Sequence, residues 1–257
     1  IETRAERTGD EYLVNGQKIW TSRVDVSDYM LLVARTTPKA EVDKKTRGIS
    51  LFVVDLEEAI ENGDIELNPI EKSALNLSRS FEVWFHDLSV PAENLVGQED
   101  EGFYHLLDGL NEERLVIAAE AIGLGEVALE LGASYANNRV VFDRPIGANQ
   151  AVQHPLARAY ARVHAAKQVT YGAASMSDDL PQQEVGVMAN TSKFLAAEAA
   201  YEAADAAVQT HGGFGIAREY DVERHFRDAR LSRIAPVSQE LALNYIGEKA
   251  LGLPRSY

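Results

Sequence analysis

The sequence contains no cysteine. That absence excludes a disulfide scaffold, thiolate catalysis, cysteine-ligated zinc and iron–sulfur clusters. Positive charge is also scarce: 25 Lys plus Arg stand against 40 Asp plus Glu, a formal net charge of −15 and a pI near 4.8. A phosphate backbone needs a basic footprint, so no nucleic-acid partner is expected. No apolar run approaches the ~18 residues of a membrane-spanning helix, and no charged–apolar–small leader opens the chain. Membrane insertion and export are therefore not expected, and a cytoplasmic location is. So acidic a surface also suits a high-salt setting. The six histidines (His86, His105, His154, His164, His211 and His225) never fall in an H-E-x-x-H spacing, so no metal site is expected. Neither a G-x-S-x-G elbow nor a Walker sequence occurs.

What is present divides near residue 98. Before it, short β-rich runs alternate with turn signals. Glu11–Val14, then Asn15-Gly16, then Gln17–Trp20 predicts a hairpin turning at Asn-Gly. Tyr29–Arg35, Ile49–Val54 and Phe81–Phe85 read as further strands, and residues 39–47 as a solvated loop. After residue 98 the period changes to 3.6. Phe103, Leu106, Leu107 and Leu110 keep the spacing of a core-facing stripe. Helices are predicted over about 151–177 and 183–210, the second Ala-rich and stopped by Gly212-Gly213. Two shorter ones follow near 219–228 and 239–251. The expected architecture is α+β: an antiparallel β-barrel or sandwich over 1–98, then a four-helix-bundle-type domain over 99–257. The first residue is Ile1, so the chain reads as processed or as a piece of something longer.

Four features are candidates for chemistry. Glu113 lies three residues after Leu110 and four before Ile117. That spacing predicts a carboxylate set into an apolar stripe, where burial raises its pKa and makes it a candidate proton acceptor. The alternative is a partly exposed carboxylate paired with a nearby Arg. His211-Gly-Gly-Phe-Gly215 is either a helix stop or a backbone nest that lets an anionic or planar ligand approach. Arg139, between two predicted helices, is either a fork for a phosphate or carboxylate or a solvated cap. Trp20-Thr21-Ser22 offers an indole and a hydroxyl to a flat ligand, unless Trp20 is simply core.

Six collinear stretches resemble the acyl-CoA dehydrogenase family: NGQKIWTS, FHDLSVPAENLVG, GLNEERLVIAAEAIG, NRVVFDRPIGANQAVQ, DAAVQTHGGFGI and ERHFRDARLSRI. The resemblance implies a middle β-domain and a C-terminal helical bundle, with the family's N-terminal helical domain absent from this chain. It implies FAD as cofactor and oxidation of an acyl-CoA thioester at Cα–Cβ to trans-2-enoyl-CoA, a step of fatty-acid β-oxidation. An electron-transfer flavoprotein as acceptor and a homotetrameric dimer of dimers follow by the same resemblance. Trp20 matches the Trp packed on the isoalloxazine and Ser22 the hydroxyl at the flavin N5 edge. Ser78 matches a Ser near the CoA thioester arm. Arg139, Phe142 and Gln150 match positions holding the FAD pyrophosphate and adenosine from the neighbouring subunit. Gln209, Gly212 and Gly213 match the other cofactor loop across that interface, and Ser238 and Glu240 the AMP end. Arg114 matches an Arg beside the base.

The base itself departs from the common pattern. Most members carry it in an I-Y-E-G-T segment, which here reads Ile234-Ala-Pro236-Val-Ser238, so Pro236 stands where the Glu would be. A minority, including isovaleryl-CoA and long-chain dehydrogenases, place the base one residue before the Arg of the first bundle helix, which is Glu113 here. The resemblance thus implies that Glu113 takes the pro-R α-proton while hydride passes to flavin N5. Pro236 also lacks the backbone N–H that in the family helps polarise the thioester carbonyl. Two rival readings are a flavin-binding relative of scaffold or alkylation-response type without dehydrogenase activity, and an inactive fragment of a full-length enzyme.

Overall fold

In a computed structural model, which describes residues 1–256, the chain forms two compact units, Ile1–Gly109 and Leu110–Tyr257.

The first unit is built on β1 (Arg4–Thr8), β2 (Glu11–Ser22), β3 (Tyr29–Arg35), β4 (Ile49–Asp55), the short α1 (Leu56–Glu61), β5 (Ile65–Pro69), β6 (Ser80–Pro91), β7 (Leu95–Val96) and α2 (Gly102–Asp108). The strands form one sheet in the order β5-β6-β2-β1-β3-β4-β7. Neighbours are antiparallel except β1 and β3, which meet in parallel at Arg4 and Arg35. Alternation along the strands turns one face inward: Tyr12, Val14, Leu32, Phe52, Val54, Phe81, Val83 and Phe85 form a continuous buried core. Asp55 caps α1 by accepting from the Glu57 and Glu58 amides.

The expected hairpin at Asn15-Gly16 is corrected by the structure. β2 runs straight through that dipeptide, and the turn falls at Gly9-Asp10, where Gly9 has φ +67°. The physical reason is a β-bulge. Val14 pairs with Leu88 and Gly16 with Phe85, so two β6 residues oppose Asn15. Asn15 and Asp87 close the bulge reciprocally. The Asn15 amide donates to Asp87 Oδ1 at 2.8 Å, and the Asp87 N–H donates to Asn15 Oδ1 at 3.0 Å. A Cβ on Gly16 would stand 2.8 Å from Thr3 Cα, so only glycine fits.

The second unit contains α3 (Leu110–Asn138), the ribbon β8 (Val140–Val141) and β9 (Arg144–Pro145), α4 (Gln150–Met176), α5 (Gln182–His211), a 3₁₀ segment Gly212–Ile216, α6 (Val222–Ser232) and α7 (Gln239–Lys249). The buried positions of α3 include Leu115, Ala118, Ile122, Gly125, Leu129, Gly132 and Ala136, steps of three and four that make one seam. Opposite lie Ala196, Ala200, Ala203, Ala204 and Ala207 of α5, all fully buried. Gly125 and Gly132 face Ala200 and Ala207 so closely that an added Cβ would lie 3.2 Å from each Cα. Small residues on both helices therefore set their separation. Among the described residues no helix is long and apolar enough to cross a membrane.

The strands and long helices lie where the patterns place them, but the junction differs. Gly109 ends α2, and α2 packs with the sheet: a Cβ on Gly102 would meet the Ser50 and Leu51 backbone at 2.7–2.8 Å. The division falls at Gly109 rather than near residue 98. The break also interrupts the stripe expected to run from Phe103 through Glu113.

Candidate active site and cofactor cradle

In the first unit, a second bulge presents Trp20. Lys18 pairs with Val83 and Thr21 with Phe81, so Ile19 and Trp20 together oppose Glu82. Trp20 is forced to φ +64° and its indole is 60% exposed. An exposed Trp on a strained backbone is not core, and such strain collects at ligand sites. Two residues on, Ser22 Oγ lies 3.0 Å from Ser80 Oγ. Lys72 Nζ donates to that same Ser80 Oγ at 3.0 Å and to the Ser78 carbonyl at 2.6 Å. Lys72 therefore ties Ser22 and Ser78 into one network. Sequence reasoning missed Lys72 and Ser80, whose only signal was their closeness to Ser78. Burial also pushes the Lys18 ammonium down to about 8.

In the second unit, Glu113 corrects an expectation. The buried seam of α3 begins at Leu115, and a step of two residues turns Glu113 about 160° away from it. Glu113 is exposed, and among the described residues its carboxylate makes no hydrogen bond or ion pair. It sits on the outside of the bundle, not in the stripe. Arg114, half-buried, donates to the Leu110 carbonyl at 2.8 Å. Burial lowers its pKa, and the charges of Glu113 and Tyr245 hold it up. The first turn of α3 is tied to α5 by the Asn111 amide, which donates to Gln182 Oε1 at 3.1 Å. Tyr245 of α7 packs its hydroxyl over Gly186. Glu113 thus belongs to a corner where α3, α5 and α7 converge.

A further residue in this unit carried no sequence signal: Lys193, 1% exposed inside α5. Its Nζ donates to the Val237 carbonyl and to Gln239 Oε1, the latter at 3.3 Å. Desolvation takes its pKa down to about 8, with Glu240 and Glu198 opposing and Arg114 adding to the fall. Ser238 N-caps α7 by accepting from the Leu241 amide. Glu240 accepts from its own N–H and from the Ser238 hydroxyl, which hold its carboxyl below the usual range. Ser238 and Glu240 therefore share a helix N-terminus.

At the other end of the bundle, a cavity of about 580 Å³ is lined by Arg139, Tyr135, Gly212, Gly213, Phe214 and Glu219, among others. Two segments far apart in sequence meet here. Gly212 has φ +61°, ψ −133°, a conformation for which a side chain is strained, and neither Gly212 nor Gly213 would bring a Cβ within 4 Å of another group. The backbone is therefore bare toward the cavity. Arg139 is exposed, with no hydrogen bond from its guanidinium among the described residues. Phe142, at φ +54° on the tip of the β8–β9 ribbon, is 92% exposed. Gln150 opens α4, Gln209 lies in the last turn of α5, and both are exposed. Neither lines the cavity.

A seven-stranded sheet unit followed by a long-helix unit carrying such a cradle defines a two-domain α+β protein. Residues 1–87 match the acyl-CoA dehydrogenase middle domain, and residues 100–251 match the acyl-CoA dehydrogenase C-terminal domain. The chain belongs to the acyl-CoA dehydrogenase family. It is 40% identical over its whole length to a Mycobacterium bovis protein named acyl-CoA dehydrogenase fadE12, of which it covers 64%. It is 34% identical over 91% of its length to the Acetobacterium woodii caffeyl-CoA reductase-Etf complex subunit CarC, covering 59% of that protein. All of the chain superposes on 63% of a glutaryl-coenzyme A dehydrogenase solved with glutaryl-CoA, at a TM-score of 0.91 and 30% identity. The chain thus spans less than two thirds of the length of these relatives. Members of the family are FAD-dependent flavoproteins. The residues here fit that cofactor: bare glycine backbone facing a cavity with an unengaged Arg suits a pyrophosphate, and exposed Trp20 and Phe142 suit flat rings.

Proposed function

We propose that this chain is the middle and C-terminal part of an FAD-dependent acyl-CoA dehydrogenase, with Glu113 as the base. The reading is carried by the cavity that unites Arg139 with Gly212 and Gly213, because both segments were assigned to the cofactor independently and they meet in space. Arg139 would fork onto the pyrophosphate, with Gly212 and Gly213 allowing its close approach, while Phe142, Gln150 and Gln209 border it. Trp20 and Ser22 would meet the flavin ring, Ser78 the thioester arm, and Ser238 and Glu240 the nucleotide end.

When bound, the flavin supplies an acceptor for the two electrons that leave the β-carbon as hydride. Glu113 takes the α-proton on a carboxylate oxygen, and Cα=Cβ forms as the C–H bonding pairs redistribute. An exposed carboxylate is an ordinary, weak base, so the site must strengthen it by expelling water when the thioester binds. It must also stabilise the charge that develops on the thioester oxygen. Arg114 is held by the Leu110 carbonyl and keeps a positive charge beside Glu113, which favours the ionised carboxylate at neutral pH. The name of the caffeyl-CoA reductase-Etf relative supports an electron-transfer flavoprotein as the redox partner. A homo-oligomer follows if the cradle serves a neighbouring subunit's cofactor.

Pro236 favours a second reading, a flavin-binding relative with no dehydrogenase activity. Anaerobic mixing of the full-length flavoprotein with straight, branched and aromatic acyl-CoA thioesters separates the two. A dehydrogenase bleaches its flavin with at least one thioester. Persistent yellow colour with the whole panel rejects the first reading.

A further inference from the structure

Removing an α-proton from a thioester places negative charge on the carbonyl oxygen, and a donor must be aimed at it in advance. This inference deepens the dehydrogenase reading and rests on it. Near Glu113, the segment 234–238 joins α6 to α7, and Pro236 within it has no N–H to offer. One contact fixes the direction of the remaining amides. Lys193, buried in α5, donates to the Val237 carbonyl and so draws that oxygen into the bundle. A trans peptide is planar with its C=O and N–H opposed, and the 237–238 bond is trans. The Ser238 N–H therefore points the other way, out of the bundle.

That N–H is available. Ser238 accepts at its hydroxyl from the Leu241 amide and at its carbonyl from the Ala242 amide, while its own N–H has no partner among the described residues. It opens α7, an 11-residue helix whose N-terminal dipole favours negative charge. Lys193 is held in turn: Gln239, 6% exposed, accepts from it and donates to Glu198 Oε1 at 3.0 Å and to the Phe194 carbonyl at 3.3 Å. Glu198 also pairs with Arg233 at 2.7 Å. The charged groups facing Lys193 are thus Glu198 on its own helix, Glu240 on α7 and Arg114 on α3.

We propose that Lys193 is a positioning residue, holding the Val237 carbonyl inward so that the Ser238 amide N–H is presented as the donor to the thioester carbonyl oxygen. Lys193 itself touches neither substrate nor cofactor.

The test uses the full-length holoenzyme and 4-(dimethylamino)cinnamoyl-CoA, an enoyl thioester whose absorption moves to longer wavelength as its carbonyl is polarised. The wild type is expected to shift the band. Lys193→Met should lose at least half of the shift and lower kcat about tenfold or more, with Kd for the probe changed less than about threefold. Ser238→Pro removes the N–H at a φ of −67° that proline adopts readily, and Ser238→Ala removes the cap but keeps the N–H. The proline variant should lose the shift and the alanine variant keep it. A full wild-type shift in Lys193→Met overturns the assignment. Should that variant not fold, equal shifts in Ser238→Pro and Ser238→Ala overturn it. A wild type that bleaches with an acyl-CoA while these variants leave the band unmoved rejects only this inference. A wild type that neither bleaches nor shifts the probe rejects the dehydrogenase reading and this inference together.

Discussion

Tyr135 stacks on His211 with ring centroids 4.1 Å apart and planes inclined by 26°, locking the end of α3 to the end of α5. Tyr220 meets both rings edge-on. His211 Nδ1 donates to the Ala207 carbonyl at 2.8 Å, which fixes the ring. The stack forms one wall of the cavity shared by Arg139 and Gly213. Tyr135→Ala should therefore act twice. It should lower stability by about 1–3 kcal/mol, since aromatic pairs add about 0.5–1.5 kcal/mol to simple burial, and it should weaken FAD retention at least tenfold. Tyr135→Phe keeps the stack and should keep both. Urea melts and flavin released on dilution measure the two effects separately.

Gly212 and Gly213 are adjacent but should respond differently to substitution. Ala at 212 must adopt φ +61°, ψ −133°, costing on the order of 1–3 kcal/mol. Gly213 has no positive φ, and its added Cβ meets no protein atom within 4 Å. Gly213→Val should leave the apoprotein's melting temperature within about 2 °C, yet reduce FAD affinity strongly because the side chain fills the cavity. Equal flavin affinity in Gly213→Val and wild type would remove the cradle from the cofactor site.

How much of this was legible in the sequence depends on the range of the forces involved. Periodicity reports local burial, so Tyr29–Arg35, α4 and α5 were placed to within a few residues. The Asn15-Gly16 turn was misread because the same dipeptide serves a hairpin or a bulge, and pairing with Asp87 on another strand decides between them. Glu113 was placed in the apolar stripe by extending the period through Gly109, where the helix breaks. Arg139 and Gly212 could be matched one by one, but their shared cavity is a tertiary fact. Lys193 was invisible: a lone Lys in an Ala-rich helix reads as solvated, and only the packing of α7 and the 234–238 segment buries it.

Glu113→Gln isolates the base. The carboxylate is exposed and makes no hydrogen bond or ion pair among the described residues, so its removal leaves no buried group unpaired. Stability should change by less than about 0.5 kcal/mol, and the purified full-length protein should stay yellow. Flavin bleaching by acyl-CoA should fall by a factor on the order of 10² to 10⁴ or more. Stopped-flow bleaching at near wild-type rate would reassign the base.

Lys193 should leave a signature in the pH dependence of stability. Its folded pKa is about 8 against an ordinary 10.5, and desolvation is the main cause. Below pH 8 the ammonium is charged in both folded and unfolded chains, and the cost of burying it is present in full. Between about pH 8 and 10.5 the unfolded chain binds the proton that the folded chain has released, so this group makes stability rise with pH. Subtracting Lys193→Met from wild type cancels the other titrating groups. The difference in urea midpoints should move in favour of the wild type from pH 8 to 10. A flat difference would mean that Lys193 stays charged throughout.

The seam between α3 and α5 supplies a stability test independent of any ligand. Gly132 faces Ala207, and even a Cβ there would lie 3.1 Å from Leu156 Cδ2 and 3.2 Å from Ala207 Cα. The backbone of α5 cannot yield as a flexible side chain would, so Gly132→Val overpacks the interface and should cost about 1–3 kcal/mol. Gly123 lies on the same helix but is exposed, with nothing within 4 Å of its added Cβ. Gly123→Ala should gain up to about 1 kcal/mol from helix propensity alone. Opposite signs in urea melts of the two variants would show that close helix approach, and not a general need for glycine, fixes Gly132. A neutral Gly132→Val would mean that the helices stand farther apart than 3.2 Å contacts require.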